Sequence, residues 1–231
     1  MGRSSGLIGM LILGINGSPR GERGATMRLV RAVLEGARER GAETDAVNLV
    51  DHDLRFRNAC STCFTDGECA YPDDFPAVYA RIRAADGLVL GSPVYIDLVS
   101  GQMKLLIDRM ADGIQCQSLA GKYGCAVATS GDHAEDAVAT YLNHFLKMLG
   151  ATPVGELAVA AGEDGAAIGA AEGRAVELGR TLADAVATER PYPEIDEFHR
   201  RYREKFADVI DGPRPARPPD YDSWVDRTWR W

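Results

Sequence analysis

The chain has 231 residues, 45% of them hydrophobic, which is enough for one full α/β core plus an appendage. A formal net charge of -8 and a pI near 5.1 argue against a nucleic acid or an anionic membrane surface as the main partner, because phosphate backbones need a basic stripe. No window reaches the roughly 20 continuous apolar residues of a membrane span, and no cleavage-site pattern follows the N-terminal apolar run, so the expected location is the cytoplasm.

In chain order, residues 1–9 read as an extension ahead of the fold. Leu11 to Ile15 is a short run, apolar on both alternating positions, and predicts a strand buried on both faces. Met27, Val30, Val33, Leu34 and Ala37 then recur at helical steps. A second strand is expected over Thr44 to Val50, followed by a long connection, Asp51 to Pro72, whose length asks for a function. Asp73 and Asp74 are placed to cap a helix running to Ala84, and Gly87 to Leu90 predicts a third strand that ends at GSPVY. Further elements are a helix from Ser100 to Met110, a strand from Tyr123 to Thr129, a helix from Ala134 to Leu149, a strand from Pro153 to Ala160 and a helix from Ala166 to Arg190. Five strands alternating with five helices predict an α/β fold with a five-stranded parallel sheet and helices on both faces. Residues 10–190 form this domain; residues 191–231 form a C-terminal extension, with a charged helix over Glu194 to Ile210 and a tail rich in proline and tryptophan.

Ligands of such sheets bind beyond the C-terminal strand ends. Those ends carry Gly17 to Arg20, Gly91 to Tyr95 and Ser130 to His133, three loops of small polar residues on one rim. The first is the most telling. GSPRGERGAT leads from a strand into a helix N-terminus, where free backbone N–H groups and the helix dipole attract an anion, and Ser18, Thr26, Arg20 and Arg23 add donors. Gly17 to Gly24 holds no lysine, so it is not a nucleotide-triphosphate P-loop, and the glycine order does not give GxGxxG, although Asp51 stands where a ribose-binding acid would. The plainer alternative is an ordinary strand-to-helix turn.

Taken together, GSPRGERGAT, CSTCFTDGEC, ADGLVLGSPVY and SGQMKLLIDR resemble the flavodoxin-like NAD(P)H-dependent FMN reductases, in particular the iron-sulfur flavoprotein branch, over about Met10 to Ala160. The resemblance implies a flavodoxin-like fold, FMN as cofactor and NAD(P)H as co-substrate. It places Ser18, Arg20, Arg23, Gly24, Ala25 and Thr26 at the FMN phosphate, Ser92, Pro93, Val94 and Tyr95 beside the isoalloxazine, and Ser130, Gly131 and Asp132 at its polar edge. Ala25 departs from the asparagine usual in such loops and leaves more of the phosphate to the backbone and Arg23. An isoalloxazine needs a flat apolar face and N–H donors at its polar edge, which these loops can provide; Tyr95 read without a flavin is a half-buried core tyrosine. His133 reads as a residue at a helix N-terminus and His144 as structural.

Five cysteines, an odd number, do not form a secreted disulfide framework. Cluster-bearing members of the branch have C-x2-C-x2-C-x5-C; here Cys60, Cys63 and Cys69 stand in that spacing and Arg57 takes the first place. A four-iron cluster wants four ligands. Three readings remain open: a cluster completed by His52, Asp66 or a partner chain; tetrahedral zinc on His52 and three thiolates; or a metal-free loop kept for flavin contact. Cys116 and Cys125 read as buried thiols. The expected activity is transfer of electrons from NAD(P)H through FMN to a quinone, nitro-aromatic, free flavin or protein acceptor. Alternatives are an electron carrier fed by a ferredoxin and a flavin-binding sensor. A homo-oligomer is expected, with Trp224, Trp229 and Trp231 packing on the domain or on a second subunit.

Overall fold

The structure is a computed structural model, which describes residues 9–60, 62–65, 69, 71–162 and 165–210. Residues 1–8 of the expected extension over 1–9, Asp66 and the tryptophan-rich tail lie outside the described residues.

The predicted parallel sheet is present. Strands β1 (Leu11–Asn16), β2 (Glu43–Asn48), β3 (Gly87–Tyr95), β5 (Tyr123–Ser130) and β6 (Thr152–Ala160) pair in the order β2-β1-β3-β5-β6, all parallel. Counting parallel strands alone, this is the doubly wound order 2-1-3-4-5 of flavodoxin-like sheets, with the topological switch between β1 and β3. β1 and the inner part of β3 are buried on alternating and adjacent positions alike, as strands covered on both faces must be.

Two cores flank the sheet. On one face, helices α1 (Ala25–Glu39) and α7 (Ala166–Thr188) cover Ile12, Val89, Cys125 and Val127. The two helices cross very closely. A Cβ on Gly36 would lie 1.9 Å from the Val176 carbonyl oxygen, and one on Gly179 would lie 1.8 Å from that of Val33, so each glycine admits the other helix's backbone. On the other face, α3 (Phe75–Ala84), α4 (Gly101–Arg109) and α6 (Glu135–Met148) cover Leu13, Ile15, Leu88 and Leu90. Among the described residues, no helix is long and apolar enough to cross a membrane.

Three local expectations are corrected. β3 does not end before GSPVY: it runs through it to Tyr95, then turns at Ile96 (φ 49°) and Asp97 (φ 60°) into β4 (Leu98–Val99), an antiparallel hairpin standing on the rim. Pro93 is tolerated because the β1–β3 ladder stops at Asn16 and Gly91, leaving β3 partnered there by β5. The second strand gives way at Leu49–Asp51 to a single 3-10 turn, and α5 (Ala111–Gln115) follows α4 as an unexpected short helix. Asp74 does not cap α3 with its side chain, which instead accepts from the Asp53 N–H at 2.9 Å; Asp73 accepts from the Phe75 N–H at 3.1 Å.

The C-terminal helix α8 (Pro193–Ile210) lies against α6. His199 is buried there, 3.1 Å from the Lys147 carbonyl, and the Lys147 ammonium sits over the Phe198 ring at 4.4 Å. His144, expected to be structural, meets Phe198 edge-on.

Candidate functional site

The three predicted rim loops follow β1, β3 and β5, which are neighbours in the sheet, so they lie side by side. The first is the most tightly built. Asn16, fully buried at the end of β1, accepts from the Ser18 N–H at 3.1 Å through its side-chain oxygen. Its amide nitrogen donates to Asn48 Oδ1 at 2.8 Å and to the Gly21 carbonyl at 3.3 Å. Asn48 in turn donates to Glu22 at 2.7 Å, and Arg31 holds the other end of that carboxylate at 2.6 Å. Hydrogen bonds from Arg31 and Asn48 keep the Glu22 carboxyl below the usual carboxylate range. Glu22 is thereby drawn away from the loop's arginines, Arg20 and Arg23, which are exposed and carry no carboxylate partner among the described residues.

The loop is also tied to its neighbours. Gly17 N–H donates to the Gly91 carbonyl at 2.8 Å, and the Ser100 hydroxyl donates to the Gly17 carbonyl at 2.6 Å while accepting from Met103 N–H at 3.1 Å. Gly17 is held so closely that a Cβ would come within 2.7 Å of Met103 Cβ. Thr26 and Thr129 share a buried hydroxyl contact of 2.7 Å that joins α1 to β5.

The N-terminus of α1 is the feature these contacts frame. Gly24 at the N-cap supplies no side chain, no side-chain hydrogen bond caps the helix and its first turn holds no acid. Yet Gly24, Thr26 and Met27 are buried. A helix end left buried and uncapped has N–H donors in need of an acceptor, and with the dipole and two free guanidinium groups beside it the fitting acceptor is an anion. Gly24 keeps the cradle open: a Cβ would stand 2.6 Å from Ser18 Oγ. The residues present therefore fit a phosphate group.

The second loop is the outer part of β3 and its hairpin. Ser92 is buried; its hydroxyl donates to the Pro93 carbonyl at 2.8 Å and accepts from Ser100 N–H at 2.9 Å, which makes it a brace between β3 and α4. Pro93 and Val94 are half-buried, while Tyr95 is 46% exposed, Ile96 95% and Leu98 62%, an apolar wall standing over the rim. In the third loop, the Ser130 hydroxyl donates to Glu135 at 2.5 Å, and Gly131 and Asp132 are exposed. His133 does not cap α6. Its ring bridges Asp132 at 2.6 Å and Asp97 at 2.9 Å, joining the β5 loop to the β3–β4 hairpin. The hydrogen bond and charge of Asp132, with the charge of Asp97, raise its pKa.

Asn16, Ser100 and Thr129 were absent from the sequence-based set. A polar residue ending an otherwise apolar strand is the signal for Asn16, the first hydroxyl after the apolar part of β5 is that for Thr129, and Ser100 shows as the N-cap of SGQMK.

Cys60, Cys63 and Cys69 line one small pocket with Arg57, Tyr71 and Arg109, and no residue of the three rim loops is in its lining. Among the described residues, no three His, Cys, Asp or Glu side chains are arranged to hold a metal, and His52 is turned to Asp74 at 3.7 Å. Cys116 and Cys125 are buried as expected; burial pushes the Cys125 thiol well up.

A model of the NADPH-dependent FMN reductase family matches residues 10–166. The chain is 33% identical to an iron-sulfur flavoprotein of Methanocaldococcus jannaschii over 187 residues, 77% of this chain and 96% of that protein. It is 30% identical to an iron-sulfur flavoprotein of Archaeoglobus fulgidus over 220 residues, 94% of this chain and 99% of that one. Among solved structures, RosB with bound 8-demethyl-8-formylriboflavin-5'-phosphate superposes with a TM-score of 0.63 at 19% identity, covering 85% of this chain and 87% of that one. An FMN-dependent NADH-azoreductase of Bacillus anthracis, in complex with FMN, gives 0.55 at 14% identity, covering 75% and 99%. These structures share the fold. With the family model spanning the whole sheet up to the start of α7, the chain belongs to the NADPH-dependent FMN reductase family.

Proposed function

We propose that this chain binds FMN at the β1/β3 switch point and passes electrons from NAD(P)H to a small acceptor such as a quinone, a nitro-aromatic or free flavin. The observation that carries the reading is the buried, uncapped N-terminus of α1 with Arg20 and Arg23 beside it. A monophosphate would take up the N–H groups of Ala25 and Thr26, the Ser18 hydroxyl and the two guanidinium groups. FMN, when bound, supplies the reversible two-electron chemistry.

The protein's own work is placement. Pro93, Val94 and Tyr95 form the wall against which a flat ring would rest, and the backbone of Ser130, Gly131 and Asp132 borders the opposite edge. The exposed apolar tips Tyr95, Ile96 and Leu98 would shield the ring from water, or meet a second copy in a homo-oligomer. No acid or base need be held by the chain for hydride delivery. The acceptor is a small molecule of the cytoplasm. An electron carrier fed through a cluster in the cysteine loop would need a fourth ligand from outside the three cysteines, because Arg57 stands in the place of the first.

The test is the visible spectrum of the purified protein followed by nicotinamide oxidation. Bound flavin with steady oxidation of NADH or NADPH in the presence of a quinone is expected; a flavin-loaded protein inert to both nicotinamides removes the reductase reading, and a colourless protein without FMN affinity removes the site.

A further inference from the structure

The pocket formed by the connection from β2 to α3, with Arg109 of α4, gathers chemistry that the flavin site does not use. Cys60, Cys63 and Cys69 line it together with Arg57 and Arg109, and none of the three is in a disulfide. Among the described residues the donor set does not give a four-iron cluster its four ligands. Three thiols are present, and the place of a fourth is held by Arg57, whose guanidinium stays protonated and offers no lone pair to a metal. Arg109 adds a second obstacle. Its side chain is 2% exposed, is paired with the fully buried Asp73 carboxylate at 2.6 Å, and lies 4.4 Å and 5.1 Å from the Phe75 and Tyr71 ring centres. From that fixed position it donates to Cys69 Sγ at 3.1 Å, so this thiol already has a cationic partner, and Arg109 Nε is buried without a hydrogen-bond acceptor.

The other two thiols sit differently. Cys60 is exposed, accepts from the Thr62 hydroxyl at 3.4 Å, and donates its N–H to Asn58 Oδ1 at 3.1 Å. Ala59, just before Cys60, takes a left-handed backbone angle (φ 57°), and Cys63 lies in the short helix α2 (Thr62–Thr65). An exposed thiol followed at this spacing by a second, in a pocket with two guanidinium groups, is the arrangement of a reactive cysteine with a resolving one.

We propose that Cys60 and Cys63 form a reversible dithiol/disulfide couple, a redox site separate from the flavin cradle, while Cys69 stays a thiol held by Arg109. With hydrogen peroxide as oxidant, the Cys60 thiolate attacks one peroxide oxygen; the O–O bond breaks, an S–O bond forms and the departing oxygen takes up a proton and leaves as water. The Cys63 thiolate then displaces hydroxide from the Cys60 sulfur, forming the S–S bond and releasing a second water. Two thiols and one peroxide thus give one disulfide and two waters. A small dithiol reverses the step by exchange and is itself oxidised.

The test uses the full-length protein, as purified, equilibrated in dithiothreitol buffers of rising oxidised-to-reduced ratio. It is then denatured, its thiols are blocked, and it is weighed intact. The expected result is the reversible loss of two of the five alkylatable thiols. Cleavage after Glu68 separates Cys69 from the other two, so the cross-link should stay within the fragment that carries Cys60 and Cys63. Cys60→Ser and Cys63→Ser should each abolish it, and Cys69→Ser should leave it intact. No disulfide at any ratio, a cross-link that joins the Cys69 fragment, or stoichiometric iron and acid-labile sulfide in the protein would overturn the proposal. Because the readout is mass and not turnover, the outcome is independent of whether FMN binds.

Discussion

Substituting single glycines of α7 tests how α1, which carries the anion loop at its N-terminus, is held in place. In Gly179→Ala the new Cβ would meet the Val33 carbonyl oxygen at 1.8 Å and its carbon at 2.8 Å. Ordinary contact begins near 3.4 Å, so α1 and α7 would have to part by more than an ångström, and the obstacle is backbone, which cannot rotate aside. Overpacking of this kind costs about 1–3 kcal/mol, offset by about 1 kcal/mol from replacing glycine in a helix interior, and the fully backbone contact points to the upper end. Gly173 in the same helix is the control, because a Cβ there meets nothing within 4 Å. Gly173→Ala should therefore gain up to about 1 kcal/mol. Urea unfolding followed by circular dichroism, with a slope of about 1–3 kcal/mol per molar, should move the two midpoints in opposite directions. Equal midpoints for the two variants would refute the close crossing.

Three further outcomes follow from the rim and the cysteine loop. Arg109→Met leaves the fully buried Asp73 carboxylate without its ion pair and should cost about 3–5 kcal/mol in the same assay, with Asp73→Asn in the double variant recovering a large part. Burial opposes ionisation of Asp73, but hydrogen bonds from Arg109, Arg55 N–H and Phe75 N–H lower its pKa; its contribution is full above the ordinary carboxylate range and lost as pH falls through the lowered value, so the Arg109→Met deficit should shrink in acid. Ser18→Ala should weaken FMN binding by about 10- to 100-fold, the worth of one hydrogen bond to a charged phosphate, read by quenching of flavin fluorescence. His133 should titrate above the ordinary imidazole range by NMR and return toward it in Asp132→Asn. Its bridge between hairpin and β5 loop is complete at low pH and lost as pH rises through that raised value, so an unshifted His133 would remove it.

The sheet was legible because strands buried on both faces write themselves as apolar runs, and the alternation with helical periodicity left little choice of class. The hairpin was not. Its turn residues, Ile96 and Asp97, take left-handed backbone angles that the Asn-Gly pattern of such turns would have announced, and Gly91 with Pro93 read as a loop although β3 continues through them on the β5 side. The anion loop was visible as glycines, hydroxyls and arginines after a strand; what could not be read is that Asn48, Ser100 and Thr129, from distant segments, meet Asn16, Gly17 and Thr26 and hold its shape. Arg109 is the clearest case. In the sequence it ends a helix as a residue of IDR, and only the fold reveals it buried between Asp73 and Cys69.

The central claim is a monophosphate cradle at the N-terminus of α1, and the most direct measurement compares FMN with riboflavin, which has the same ring and no phosphate. Titrated into flavin-free protein, FMN should bind at least about 100-fold more tightly than riboflavin, as expected when two or more charge-assisted hydrogen bonds are lost. Equal affinities, or no affinity for either, would contradict the account.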